Sequence, residues 1–221
     1  MKKLPSKKSS PFVISFEGLP GAGKTTFSKL LVGELLHRGY NTMLVKPFTK
    51  ERVELAMSAY AGERRRLWVN EVPLIPLKTA VQVLLGILSD DRFADADVLV
   101  YDRHVDTVFA GLWAFYTQNG EGIQLQEFYD WFYEVADYFL AFPDITFYLQ
   151  VDRNSIGRRV GIYKRFVLDG YLSEQLMLME KAYNYVSSKT DRLRTVKSFG
   201  RRPLDVFEEV LSAALSAVGG E

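Results

Sequence analysis

The sequence predicts an α/β fold, a three-layer sandwich in which a five-stranded, mostly parallel sheet is covered by helices on both faces. Three observations predict it. Short β-branched and aromatic runs alternate with longer helix-like segments along the whole chain, which requires crossover connections and therefore parallel pairing. A glycine-rich segment, GLPGAGKTT at residues 18–26, joins the first apolar run to the first amphipathic one. No repeat, low-complexity block or Pro-rich linker divides the 221 residues, and 48% hydrophobic residues suffice for one continuous core.

The strands are expected at residues 12–17, 41–46, 97–101, 145–151 and 194–199, where apolar runs are short and β-branched or aromatic. Helices are expected at 24–38, 50–61, 77–91, 106–117, 125–140, 154–160, 173–190 and 204–218, with a loop at 119–123. Aromatic residues crowd the span 109–142, which reads as packing of two helices against each other and the sheet. The first ten residues, MKKLPSKKSS, are basic and polar and read as a flexible tail, leaving 11–221 as a single domain. They lack the apolar stretch of a signal peptide, and no run approaches the ~20 apolar residues needed to cross a bilayer, so no membrane association is expected.

Twenty-eight Lys plus Arg balance 27 Asp plus Glu, so the net charge of +1 offers no general attraction to nucleic acid. Any phosphate binding must be local. The absence of cysteine removes disulfides, thiolate metal sites and thiol nucleophiles together, which agrees with a cytoplasmic setting.

Gly18, Gly23, Lys24 and Thr25 match G-x-x-x-x-G-K-[ST], the P-loop, directly after a strand and at the start of a helix. Through Gly18, Leu19, Pro20, Gly21, Ala22 and Gly23 the backbone can turn its amides toward the phosphates of ATP. The helix N-terminus at Lys24, Thr25 and Thr26 adds partial positive charge. Lys24 is expected on the β- and γ-oxygens, and the Thr25 hydroxyl on Mg²⁺. No guanine-reading Asn-Lys-x-Asp segment follows, which turns the reading from GTPase switches toward small-molecule kinases.

At the end of the third strand stands Asp102-Arg103-His104. A carboxylate there can hold the hydration shell of Mg²⁺ or orient the acceptor, and the guanidinium can take an acceptor phosphate through two parallel hydrogen bonds. His104 reads as packing. Beyond the fourth strand, VDRNSIGRRVGIYKRF gathers Arg153, Arg158, Arg159, Lys164 and Arg165 in a glycine-interrupted stretch. Such a cluster reads as an arginine-rich lid at about 153–170 that closes over the transferred phosphoryl group.

In FEGLPGAGKTT, YDRHVDT, PDITFYLQVD and the arginine-rich stretch, taken in that order, the chain resembles the thymidylate kinase family of nucleoside monophosphate kinases. The resemblance implies ATP-dependent and Mg²⁺-dependent transfer to a nucleoside monophosphate, with dTMP the first candidate. It places Asp102 near the metal, Arg103 on the acceptor phosphate and Arg159 as the first lid arginine. Lys50 stands where the family has an arginine on the acceptor phosphate, with Phe48 beside it, and Arg201 falls in a segment that packs beside adenine. It also implies a homodimer surface on the apolar helix at 77–88.

Two departures accompany the match. Pro20 occupies the P-loop position where the family commonly carries an acidic residue, and the thymine-reading Phe-x-x-x-Arg has no counterpart in LIPLKTAVQVLLGIL, where Lys78 and Gln82 are the polar candidates. The alternatives are a deoxynucleoside or other small-molecule kinase, and a P-loop protein that binds ATP without transfer. A nucleoside kinase would want a carboxylate after the second strand, where this chain has Lys46-Pro47-Phe48.

Overall fold

A computed structural model describes residues 10–49, 51–52, 68–69, 72–73, 77–88, 90–93, 95–152, 156 and 170–219. The first strand, β1 (Phe12–Glu17), is buried at all six positions. Successive side chains of a strand point to opposite faces, so this pattern requires cover on both sides of the sheet. Around it lie β2 (Thr42–Val45), β3 (Val98–Asp102), β4 (Ile145–Gln150) and β5 (Leu193–Lys197). The order across the sheet is β2-β3-β1-β4-β5, parallel throughout.

Register decides what meets at the carboxyl edge. Phe16 pairs with Asp102 on one side and Phe147 on the other, while Val45 pairs with Tyr101. The residues that follow β2, β3 and β1 therefore emerge side by side, where ligands of parallel α/β sheets bind. Asp144, from the PDITFYLQVD segment, accepts from the Val13 amide at 2.7 Å and ties the start of β4 to β1.

The helices are α1 (Lys24–His37), α2 (Leu77–Leu88), α3 (Val105–Gln118), α4 (Leu125–Asp137), α5 (Gly170–Ser187) and α6 (Pro203–Gly219). α1 packs on β1, β2, β3 and α6, while α3 packs on α4 and α5. Every residue of α3 from Val105 to Ala114 is buried. Phe109 sits among Phe128, Tyr129, Phe132 and Tyr133, with ring centroids 5.2–5.8 Å apart, so this part of the aromatic span is packed core.

The five expected strands are those of the sheet. The expected helix at 77–91 stops at Leu88, because Asp90 turns its carboxylate onto the Arg92 amide and guanidinium and starts a short 3₁₀ turn at Asp91–Phe93. The helix expected at 125–140 ends at Asp137, closed by Phe139 and Leu140 amides that both donate to the Ala136 carbonyl. An antiparallel pairing of Trp68–Val69 with Val72–Pro73 was not expected from the sequence. Of the helix expected at 50–61 only Glu51 and Arg52 are described; apart from Ile156, that expected at 154–160 lies outside the described residues.

Candidate active site

The loop between β1 and α1 can turn as it does because three of its glycines sit at positive φ, Gly18 at 134°, Gly21 at 74° and Gly23 at 97°. Gly18 is the most constrained, since a Cβ there would lie 2.6 Å from the Leu149 carbonyl oxygen of β4. Gly23 caps α1, and with no side chain capping that terminus and no acidic residue in its first turn, the partial positive charge of the helix stays available to an anion.

Lys24 is 5% exposed and its Nζ donates to the carbonyls of Gly18 and Leu19, both at 2.8 Å. The ammonium is thus held over the loop that it is expected to serve. Leu19, Pro20 and Ala22 are buried, whereas Gly21, Thr25 and Thr26 face solvent. Thr25 Oγ1 donates to Asp102 Oδ2 at 2.5 Å, bringing together two oxygen groups 77 residues apart. The same carboxylate oxygen lies 3.9 Å from Lys46 Nζ, which is 43% exposed. A hydroxyl and a carboxylate so placed form a hard-oxygen pair that suits Mg²⁺, which takes few protein ligands and keeps water and phosphate in the rest of its shell.

Beyond Asp102 the chain turns sharply. Arg103 adopts φ 81°, a left-handed conformation and the one positive φ among the described non-glycine residues. Its amide donates to the Phe16 carbonyl at 3.1 Å, and the His104 amide donates to Glu17 Oε1 at 2.6 Å. The His104 ring is buried edge-on against Tyr101 at 4.9 Å, and burial pushes its pKa down to about 4, which leaves it neutral. This agrees with packing rather than proton transfer.

Beneath the turn lies a buried polar network that spacing alone did not disclose. Glu17 Oε2 bonds the Thr107 hydroxyl and lies 3.4 Å from Tyr183 OH, and Thr107 and Tyr183 are themselves 3.0 Å apart. Alongside, Asp106 accepts two bonds from Arg192, at 2.6 and 2.8 Å, and one from Tyr133 OH at 2.5 Å. Burial, and then the charge of Asp106, pushes the Glu17 carboxyl up to about 8. Burial acts on Asp106 too, but the Arg192 guanidinium holds that carboxyl below its ordinary range. One negative charge therefore faces one guanidinium, and Glu17 is neutral at pH 7. A charged residue closing an otherwise uncharged strand, FVISFE, was the one signal in the sequence that could have pointed to it.

An unfolded Glu17 ionises near 4.5 while the folded one holds its proton to about 8, so its contribution to stability is complete below the first value and lost on rising through the second. The stability of Glu17→Gln relative to the parent chain is therefore expected to grow from about pH 5 to about pH 8, as read from urea midpoints. A constant difference across that range would show that Glu17 is ionised in the native state.

Of the remaining expected residues, Phe48, Gln82 and Arg201 have described side chains. Phe48 is 7% exposed in the core cluster beyond β2, and Gln82 lies on the exposed side of α2. Lys78 falls within α2, but its side chain lies outside the described residues, as do Lys50, Arg153, Arg158, Arg159, Lys164 and Arg165 altogether. Arg201 is engaged by Glu209 at 2.5 Å and by the carbonyls of Lys197 and Asp205 at 3.2 Å, at the start of α6.

The model of the family described as thymidylate kinase matches residues 16–188, from the end of β1 to just beyond α5. The chain belongs to the thymidylate kinase family. Relatives of this thymidylate kinase-family chain include a probable thymidylate kinase of Sulfolobus acidocaldarius, 27% identical over 85% of this chain and 88% of the relative. A thymidylate kinase of Caldanaerobacter subterraneus subsp. tengcongensis is 30% identical over 90% of this chain and 89% of the relative. The crystal structure of a thymidylate kinase from Ehrlichia chaffeensis shares the fold at TM-score 0.56 and 21% identity, covering 93% of this chain and 98% of the other. As a thymidylate kinase-family member the chain is a phosphotransferase of the nucleoside monophosphate kinase type. Among the described residues no helix is long and apolar enough to cross a membrane.

Proposed function

We propose that the chain transfers the γ-phosphoryl group of ATP to dTMP, yielding dTDP and ADP, at the carboxyl edge of β1 and β3. The observation that carries this reading is the bond between Thr25 of the phosphate loop and Asp102 beside Arg103, which joins a donor cradle to a cationic turn. Lys24 would follow the β- and γ-phosphates, and Arg103 would hold the acceptor phosphate. Thr25 and Asp102 would hold Mg²⁺, which supplies charge neutralisation on the donor phosphates. An acceptor that is already an anionic phosphate needs no general base, so positioning and charge stabilisation are sufficient.

Lys46 supports an anionic acceptor over a free nucleoside. It follows β2 beside Asp102, where a nucleoside kinase would place a carboxylate to take the proton of a sugar hydroxyl. Lys50, Phe48, Lys78 and Gln82 on the acceptor side belong to the same reading, as do Arg158, Arg159, Lys164 and Arg165 as a lid. So does a homodimer through α2, although Ala80, Val81, Val83, Leu84 and Ile87 are buried within the chain and leave Gln82, Leu85 and Gly86 exposed.

Release of ADP measured with a panel of nucleoside monophosphates and nucleosides tests the proposal. dTMP is expected to stimulate turnover above every other acceptor, with thymidine inactive. Stimulation by a nucleoside alone would make the chain a nucleoside kinase, and ATP binding without turnover for any acceptor would overturn transfer itself.

A further inference from the structure

Glu17 is fully buried and has no solvent-exposed surface through which to reach a substrate proton. Its contacts are instead with the backbone and with two buried hydroxyls. Arg103 and His104 donate successive amides to successive residues of β1, the Phe16 carbonyl at 3.1 Å and the Glu17 carboxyl at 2.6 Å. The first bond extends the parallel ladder by one residue past β3. The second cannot belong to a ladder, since a side chain has replaced the carbonyl, and the chain leaves the sheet there.

Between those two anchors Arg103 is held at φ 81°, which an L-residue with a side chain adopts only when its surroundings impose it. The other oxygen of Glu17 is fixed by Thr107 on α3 and approached by Tyr183 on α5, which stacks on Tyr148 of β4 at 4.9 Å. The carboxyl is therefore immobile at both ends. Glu17 also directly precedes Gly18, so one residue links the donor loop to the Arg103 turn.

We propose that Glu17 is a positioning residue of the transfer site, its carboxyl holding the His104 amide so that the left-handed turn presents Arg103 to the acceptor phosphate. Resting on the kinase reading above, this makes Glu17 act on the acceptor side through Arg103 and not on ATP directly.

The test compares Glu17→Ala, Glu17→Gln, Arg103→Ala and the double alanine variant in steady-state kinetics with ATP and dTMP. Loss of the carboxyl is expected to raise the KM for dTMP by about tenfold or more while the KM for ATP stays within about twofold, as for loss of the Arg103 contact to the acceptor phosphate. Glu17→Gln keeps an acceptor for the His104 amide and is expected to return the dTMP KM to within about threefold of the parent. If Glu17 acts through Arg103, the double variant is no worse than Arg103→Ala alone. A lower kcat at unchanged dTMP KM, or additive losses in the double variant, would overturn the proposal.

Should the parent chain show no turnover with dTMP, the kinase reading fails and amide exchange decides the positioning claim separately. The His104 amide is then expected to exchange about tenfold faster in Glu17→Ala than in Glu17→Gln, and equal protection would refute the clamp. If Glu17→Ala does not fold, Thr107→Val, which loses one anchor of the same carboxyl, is expected to raise the dTMP KM and speed His104 exchange in the same direction. Unchanged values for both would count against it.

Discussion

Replacing Lys24 with alanine is expected to lower kcat by about 10²- to 10³-fold, the loss seen when one preorganised donor is removed from a developing negative charge. The ammonium sits at the mouth of the loop, 2.8 Å from the carbonyls of Gly18 and Leu19, and only 5% of the residue is exposed. Water therefore reaches it poorly, and its interaction with a phosphate in that setting is stronger than that of a surface lysine. The alanine variant also removes one bond from each of two loop carbonyls, of which that of Leu19 keeps the Ala22 amide, so a modest fall in thermal stability accompanies the kinetic loss. Lys24→Arg restores the charge but not the compact ammonium between the two carbonyls, and is expected to remain well below the parent. Turnover within a few-fold of the parent in Lys24→Ala would remove this residue from the chemistry and return the loop to a purely structural turn.

The largest effect on stability is expected at Arg192→Ala, at about 3–5 kcal/mol, because it leaves the Asp106 carboxylate buried and uncompensated. Asp106 is fully buried at the first turn of α3, and both its oxygens accept from the guanidinium. Arg192 is further engaged by Thr146 at 3.0 Å and lies over the ring of Phe142 at 5.1 Å. Urea unfolding at neutral pH measures the loss, and a midpoint close to that of the parent would mean that Asp106 takes a proton instead. Removing both charges should behave differently. Arg192→Met combined with Asp106→Leu keeps the volume without desolvated charge, and is expected to recover most of the lost stability. Recovery would identify the pair as a charge balance, and its absence would indicate that the bonds to Tyr133 and Thr146 organise the core.

The phosphate loop was legible because its function is local. Glycine freedom, a lysine and a hydroxyl within nine residues specify a cradle whatever the rest of the chain does, and the strand and helix beside it are set by short-range patterns. The strand-end position of Asp102 and Arg103 was legible for the same reason. What spacing could not show was that Thr25 and Asp102 share a hydrogen bond, or that Lys46 stands next to Asp102, because both depend on strand order and register. The partners of Arg201 were equally hidden: the family resemblance placed it beside adenine, and the fold adds Glu209 and two backbone carbonyls within its reach.

Sequence by itself thus determined the fold class, the glycine-rich turn after the first strand and the family, since each rests on contiguous motifs and on the alternation of strands and helices. Tertiary structure alone decided which buried carboxyl is charged and how Arg103 is turned. Glu17 meets Tyr183 across 166 positions and Asp106 meets Arg192 across 86, and neither distance leaves a trace in local pattern. Burial raises the cost of every unpaired charge, so the charge state of each carboxyl follows from the partner that folding brings to it.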